Sequence, residues 1–198
     1  NTADLANIAQ RYSDIEQHLL HFLENHDEQR IASPDFAGSA EKAKPAMVVS
    51  ALISRSPTMI YFGQEVGEDG SEETGFGDPT RTTIFDYAGV PAHQRWMNGG
   101  KFDGGQLSDD EKSLRDFYQR LMTISAQNSA MLGSYQSLHE NNRKALSTYN
   151  HLQFAFARWQ AQERLVVVSN FDSENSYQYN LQLPNNLVNQ WQLPAGEY

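Results

Sequence analysis

The sequence predicts an α/β fold: a helix-strand-helix-strand-helix unit over residues 1–131, as in part of a (β/α)₈ TIM barrel, then an all-β sandwich over residues 132–198. Two observations predict it. In the first part, segments whose apolar residues recur every three or four positions alternate with short apolar runs, which is typical of helices alternating with buried strands. After Leu132 the apolar period changes to two, which is typical of half-buried antiparallel strands.

The first part contains three predicted helices and two predicted strands. Helical spacing covers Asp4 to Leu20, and a strand over about Leu20–Glu24 follows it. Ser39 is a candidate N-cap for a helix that reaches about Arg55. Pro45 lies inside that helix and predicts a kink or a later start.

A strand over about Thr58–Phe62 comes next, and it leads into a long Gly-rich, acidic loop over residues 63–107. Loops of this length inside a domain are usually functional or contain small elements of their own. Residues 108–111, Ser-Asp-Asp-Glu, form a capping-box pattern that starts a helix ending near Asn128.

The sandwich is predicted from three alternating or β-branched runs, at 152–159, 164–171 and 176–183, with a turn at Asn185-Asn186. Residues 191–198 are interpreted as a strand that enters a turn. The expected core comprises Phe154, Phe156, Val166 and Val168. Trp159 and Trp191 are interpreted as core residues rather than as sugar-binding platforms.

Composition excludes several classes of partner and site. Fifteen basic against 25 acidic residues give a net charge of −10, which argues against nucleic acid or an anionic membrane surface as partner. No apolar run approaches the roughly 20 residues of a membrane helix, and no secretory signal opens the chain. The absence of cysteine excludes disulfides and thiolate metal sites but does not fix the compartment.

The most informative segment is residues 23–30, Leu-Glu-Asn-His-Asp-Glu-Gln-Arg, in which an apolar run ends in a polar, ionisable cluster. Strands of barrel enzymes present catalytic groups in this way at their carboxyl ends. The alternative is a turn rich in Asn and Asp that merely ends the strand. Taken alone, this segment does not decide between the two.

Residues 56–67, Ser-Pro-Thr-Met-Ile-Tyr-Phe-Gly-Gln-Glu-Val-Gly, supply a second apolar run that breaks into Gly, Gln and Glu. Together the two segments resemble the last two barrel strands of the α-amylase family of glycoside hydrolases, bacterial type. In that family strand seven ends in Asn-His-Asp and strand eight is roughly Gly-x-Pro-x-x-Tyr-Tyr-Gly-x-Glu. Ser56 in place of the usual Gly and Phe62 in place of the second Tyr are the departures.

The resemblance implies roles for individual residues. Asp27 is expected to be the carboxylate that stabilises the transition state at a sugar ring, and His26 to donate a hydrogen bond to a sugar hydroxyl. Arg30 is expected either to contact substrate and hold a neighbouring carboxylate charged or to be an ordinary salt-bridged loop residue. The same resemblance implies an α-glucan or maltooligosaccharide substrate. The location stays unknown, with a bacterial periplasmic or extracellular one favoured over the cytoplasm.

The long loop adds candidates of its own. Residues 81–87 resemble a subsite segment of some family members, although its Pro and Trp are absent, so Arg81 and Tyr87 are candidate substrate contacts. Phe85 and Trp96 are further aromatic candidates, and the alternative is that these loop residues only plug the barrel edge.

Glu65 is interpreted as a structural or supporting residue. The acidic run of Glu68, Asp69, Glu72 and Glu73 is interpreted as a solvated loop. No cofactor is expected in this segment and no histidine has metal-ligand spacing, while calcium is allowed for in the complete enzyme.

No segment matches the family motifs that carry the nucleophile and the acid/base, so we expect a C-terminal fragment of a retaining α-glucan-active hydrolase whose isolated chain is inactive. Self-association or a complementing N-terminal half is expected to cover its unpaired strand edges. The alternatives are a non-catalytic carbohydrate-binding or interaction module, and a family transglycosylase or isomerase.

Overall fold

The computed structural model describes residues 2–71, 81–84, 90–194 and 196. Within them the helices are α1 (Thr2–Arg11), α2 (Ala40–Leu52), α3 (Pro91–Met97), α4 (Asp109–Gln127), α5 (His139–Ala145) and α6 (Asn185–Trp191). The strands are β1 (Ser134–Ser137), β2 (Gln153–Gln160) and β3 (Glu163–Asn170). Short 3₁₀ helices occur at Glu16–His18, Gln64–Val66, Asn98–Gly100 and Ser129–Leu132. No helix in this described part is long and apolar enough to cross a membrane.

The predicted helix after Ser108 is confirmed as α4. The Ser108 side chain accepts a hydrogen bond from the Glu111 N–H, and the Glu111 carboxylate accepts one from the Ser108 N–H. Leu114, Tyr118 and Leu121 are buried on one face, as the helical period requires.

The helix after Ser39 is confirmed as α2, and it starts at Ala40 rather than late, with Pro45 inside it. The Ser39 side chain caps its first turn at the Lys42 N–H. The helix predicted over Asp4–Leu20 is shorter than expected, because α1 ends at Arg11 and only a 3₁₀ turn follows.

The two predicted barrel strands pair in parallel, but only at one position. His21 pairs with Thr58 through two backbone bonds, from the His21 N–H to the Pro57 carbonyl at 2.9 Å and from the Met59 N–H to the His21 carbonyl at 2.8 Å. The chain bends at Leu23, and the parallel pairing does not extend into a ladder of several residues. The prediction of neighbouring segments is confirmed, and the prediction of two full strands is wrong in extent.

The second half contains a three-stranded antiparallel sheet in the order β1-β2-β3. β2 and β3 form a hairpin in register from Gln153–Asn170 to Gln160–Glu163, which confirms the predicted strands at 152–159 and 164–171. β3 lies at the edge of this sheet, and its exposed residues include Val166 and Val168 while Val167 is buried. The expected core was therefore right for Phe154 and Phe156 and wrong for the two valines.

The expectation of an all-β second half is wrong, because α5 and α6 lie in it. Residues 176–183 contain no strand. Of the four side chains that their alternation predicts on one face, Tyr179, Leu181 and Leu183 pack on the core, whereas the Tyr177 hydroxyl donates to the Asp172 carboxylate at 2.6 Å. Instead of a neighbouring strand, the Asn142 side chain pairs with the Gln182 backbone through its Nδ2 at 3.0 Å and its Oδ1 at 2.8 Å.

The turn predicted at Asn185-Asn186 is instead the start of α6, and the strand predicted from residue 191 is wrong, because Trp191 ends that helix. α6 buries Leu187 and Trp191, four residues apart, against the core that also holds Leu138 and Ala155. A second sheet facing the first stays a prediction.

The chain forms two compact units. One comprises residues 2–16, 53–55 and the described residues from 129 onward, and the other comprises residues 17–52 and the described residues of 56–128. The predicted boundary between residues 131 and 132 stays a prediction. The candidate site lies entirely in the second of these units.

Candidate functional site

The loop that carries the Asn-His-Asp motif is shaped by its own first residue. The Asn25 side-chain oxygen accepts hydrogen bonds from the Asp27 N–H at 2.8 Å and from the Glu28 N–H at 2.9 Å. This is an Asx turn, which fixes the backbone locally without a neighbouring strand. The segment is thus an Asx turn, and whether it also forms a site stays a prediction.

The turn presents Asp27 to solvent. The Asp27 side chain is 76% exposed, and its Oδ2 lies 3.4 Å from Nε2 of His26, whose side chain is 45% exposed. A guanidinium nitrogen of Arg81 donates a hydrogen bond to the Asp27 backbone carbonyl at 3.2 Å. The structure therefore brings together three of the predicted site residues.

An open cleft of about 450 Å³ lies beside this loop. Its lining combines polar or charged groups with apolar side chains: Asp27, Glu28, Gln29, Arg81, Phe22, Leu23 and Phe36. Two of the apolar residues, Phe22 and Phe36, are exposed. A cleft with a carboxylate, a cation and aromatic faces has the composition expected for a polar organic ligand.

Arg30 does not line this cleft but lies beneath the loop. Its Nη1 is 2.7 Å from Oε1 of Glu24, and both side chains are 0% exposed. Its Nε donates to the Thr82 hydroxyl at 2.8 Å. The other Glu24 oxygen accepts the Ile31 N–H at 2.5 Å, so the ion pair holds both ends of the turn that presents Asp27. Direct substrate contact by Arg30 stays a prediction that this burial does not favour.

Aromatic rings of residues 56–67 pack on the buried Glu24–Arg30 pair, and pair and rings together form the anchor of the loop. The Arg30 guanidinium carbon lies 4.4 Å from the centre of the Tyr61 ring and 5.2 Å from that of Phe62. Cations are attracted to aromatic faces at such distances, most strongly where water is excluded. The Tyr61 hydroxyl donates to the Thr82 carbonyl at 3.4 Å. The two motifs that the sequence analysis linked are therefore joined through Arg30.

Burial dominates the electrostatics of this anchor. It raises the pKa of the Glu24 carboxyl above its ordinary value, against the opposing effects of the Arg30 charge and the Ile31 N–H. The nearby Glu68 carboxylate adds to the increase in the pKa of Glu24. Such a carboxylate depends strongly on its cation, since a buried charge without a partner is costly.

The interpretation of Glu68 as part of a solvated run is wrong. Its side chain is buried, and its two oxygens accept the Gly70 N–H and the Ala92 N–H, each at 3.0 Å. Glu68 thus ties the start of the long loop to the start of α3. Gly63 lies against it at φ +83°, where a Cβ would come within 3.2 Å of the Glu68 Cβ. Glu72 and Glu73 lie outside the described residues.

Gln64, which belongs to residues 56–67, connects the loop to helices α2 and α4 through its side chain. Its side-chain oxygen accepts the Tyr61 N–H at 3.1 Å, and its Nε2 lies 3.2 Å from the Tyr118 hydroxyl of α4 and 3.4 Å from the Met47 sulfur of α2. The motif therefore has a structural function as well.

The remaining candidates fall elsewhere. Trp96 packs with Val66, Ala92 and Leu107 rather than in the cleft. Tyr87 and Phe85 lie outside the described residues. Within the described ranges, no group of three histidine or carboxylate residues is arranged to hold a metal ion. The sequence analysis missed the roles of Glu24 and Glu68, and the one available signal was the position of Glu24 directly after an apolar run.

No family model matches the chain, and no curated protein matches its sequence significantly. Among solved structures, a variant of Bacillus licheniformis trehalose-6-phosphate hydrolase in complex with PNG is similar, with a TM-score of 0.51 at 17% identity over 93% of this chain. A second structure of the same hydrolase has a TM-score of 0.48 at 16% identity over 85% of this chain and 38% of its own.

At this level of identity the likeness shows the fold alone. The chain shares a mixed helix and strand arrangement, including a small antiparallel sheet, with part of the hydrolase. It spans about 40% of the length of that protein.

Proposed function

We propose that this chain is part of a retaining glycoside hydrolase that acts on α-glucosidic bonds, with Asp27 as the carboxylate that stabilises the transition state. The observation that carries the proposal is an exposed carboxylate on a rigidly anchored turn at a cleft, with His26 and Arg81 beside it. The two motifs resemble the α-amylase family, and the likeness of fold to a glycoside hydrolase supports the same reading.

The chemistry suits an exposed but fixed carboxylate. Glycosidic cleavage passes through an oxocarbenium-like state, in which positive charge develops at the anomeric carbon and the ring oxygen. A carboxylate held in place before the reaction stabilises that charge without having to reorganise. Asp27 would act in this way, while His26 donates a hydrogen bond to a hydroxyl of the same sugar.

The nucleophile and the acid/base would come from a segment outside these 198 residues. Retaining enzymes need those two carboxyl groups about 5–5.5 Å apart. The described lining of the cleft offers only Asp27 and its chain neighbour Glu28 as carboxylates. The span of about 40% of the similar hydrolase, and the exposed rings of Phe22 and Phe36 at the cleft, support a further segment that packs there.

Asp27→Asn in the longer enzyme is the test, and Glu28→Gln is its matched control, since both carboxylates line the cleft and follow one another in the chain. We expect Asp27→Asn to lower kcat on a chromogenic maltooligosaccharide by a factor of about 10²–10³, with a smaller change in KM, because the interaction is made in the transition state. Glu28→Gln should retain kcat within about threefold, as expected for a carboxylate with no part in the reaction.

Two outcomes would contradict parts of this proposal separately. Equal losses in the two variants would remove the special role of Asp27. Steady hydrolysis by the 198-residue chain alone, abolished by Asp27→Asn, would leave Asp27 in place but show that no further segment is needed.

A further inference from the structure

A second pocket lies in the other compact unit, at the turn of the β2–β3 hairpin. This hairpin pocket, of about 430 Å³, is lined by residues 159–162, Arg164, residues 190–192 at the end of α6, and residues 133–134. Pockets of this volume hold small organic ligands. None of the residues assigned to the cleft at Asp27 belongs to it.

The lining has an unusual hydrogen-bonding character. Four of its side chains are glutamines, at positions 160, 162, 190 and 192, and a fifth is the hydroxyl of Ser134. An amide offers both donors and an acceptor, as does a hydroxyl. The pocket contains one cation, Arg164, and no carboxylate. An anionic ligand would require mainly donors, and a cationic ligand mainly acceptors, so the lining fits a neutral ligand rich in hydroxyl groups.

These amides are available for binding. Among the residues that the structure describes, none of the four glutamine side chains forms a hydrogen bond with the protein. All four residues are exposed, whereas the hairpin backbone beside them is fixed by the β2–β3 ladder. The fixed backbone of the hairpin keeps two of these amides close together, although each side chain still loses rotamer freedom when a ligand binds.

Two indole rings supply the apolar part of the pocket. Trp159 is partly buried and meets the buried Trp191 edge to face, with their ring centres 5.9 Å apart. The Arg164 guanidinium carbon lies 5.6 Å from the centre of the Trp191 ring. The apolar faces of sugar rings pack on accessible aromatic surface while their hydroxyls bond to amides. In this pocket only the accessible part of Trp159 can take that place beside the glutamines, because Trp191 is a core residue as the sequence analysis expected.

We propose that the hairpin pocket binds a short neutral oligosaccharide, at a site separate from the cleft at Asp27. This inference does not depend on the proposed catalytic function, because the two sites share no residue. The chain would then contact carbohydrate with each of its compact units.

The indole N–H signals of the 198-residue chain test the proposal by NMR, with maltotriose as the probe. The chain has three tryptophans, so Trp159 and Trp191 report on the pocket and Trp96 of the other unit serves as an internal control. We expect saturable shifts at Trp159 and Trp191 that persist in Asp27→Asn. Gln162→Ala and Gln190→Ala should each weaken the fitted Kd roughly three- to tenfold, the effect of one lost hydrogen bond. Gln178→Ala, an exposed glutamine outside the pocket, should leave Kd unchanged.

Three results would overturn the proposal. The first is no saturable shift at Trp159 and Trp191 with maltotriose. The second is a Kd that responds to Asp27→Asn but not to the two pocket glutamine variants, which would locate binding at the cleft. The third is a stronger response of the same signals to inorganic phosphate, which would show an anion site built on Arg164 instead.

Discussion

The buried ion pair under the candidate site predicts a large and specific loss of stability in Glu24→Gln. Glu24 and Arg30 are both fully buried, with 2.7 Å between the charged atoms. Glutamine preserves the size of the side chain and an acceptor for the Ile31 N–H, but it removes the charge and places an amide N–H against the Arg30 guanidinium. What remains is an uncompensated buried guanidinium, for which the expected cost is about 3–5 kcal/mol.

The chain offers a matched control in Glu41. The Lys44 ammonium lies 2.6 Å from the Glu41 carboxylate, but that carboxylate is 66% exposed. The substitution Glu41→Gln is the same and the contact is equally short, yet exposed pairs of this kind contribute only about 0.3–0.5 kcal/mol. The difference between the two variants therefore reports mainly on burial, together with the Ile31 N–H bond that only Glu24 accepts.

Urea unfolding followed by tryptophan fluorescence and by circular dichroism measures both variants. We expect Glu24→Gln to lower the free energy of unfolding by at least about 3 kcal/mol, a large part of the roughly 5–15 kcal/mol of an ordinary protein. Losses below about 1 kcal/mol in both variants would refute the reasoning, since they would mean that the Glu24–Arg30 pair behaves as an exposed one.

Further predictions concern the same anchor and the hairpin. Arg30→Met should destabilise the chain more at pH 8 than at pH 5, as measured by urea titrations at the two pH values. Without the cation the pKa of Glu24 rises further above its value in the unfolded chain, so stability is lost as the pH increases toward the folded pKa. The expected loss is about 1.4 kcal/mol per unit of added pKa shift. Arg158→Met should lower the free energy of unfolding by about 3 kcal/mol or more, because its buried guanidinium donates to three backbone carbonyls at 2.6–3.3 Å, and a wild-type urea midpoint would contradict this. Gly133→Ala should prevent normal pairing of β1, measured by amide exchange, because a Cβ there would lie 1.9 Å from the Trp159 carbonyl oxygen.

Elements with a local cause were predictable from the sequence. The capping box of Ser108 and Glu111 predicts where α4 begins, since both bonds lie within four residues. The β2–β3 hairpin also follows from neighbouring residues, because an alternating run and a β-branched run with a short turn between them pair directly.

Elements that depend on contacts between distant residues could not be predicted from the sequence. The Tyr179–Leu183 segment alternates as a strand does, but its backbone is bound by the side chain of Asn142, forty positions from Gln182, and no local pattern specifies that partner. Likewise the acidic composition around Glu68 predicts exposure, while the bonds from the Gly70 and Ala92 N–H groups make burial of its carboxylate favourable.

The candidate site shows the same division. Asp27, His26 and the Asx turn at Asn25 are contiguous in sequence and were recognisable as a motif, whereas the anchor beneath them joins Glu24 and Arg30 to Thr82, fifty-two positions beyond Arg30. A local turn alone would leave Asp27 free to reorient, and a carboxylate that has to reorganise stabilises a developing charge less well. The buried pair fixes both ends of the turn while Asp27 stays exposed. In the proposed function, this rigidity from below would hold the exposed Asp27 carboxylate in position for the charge that develops at the sugar ring.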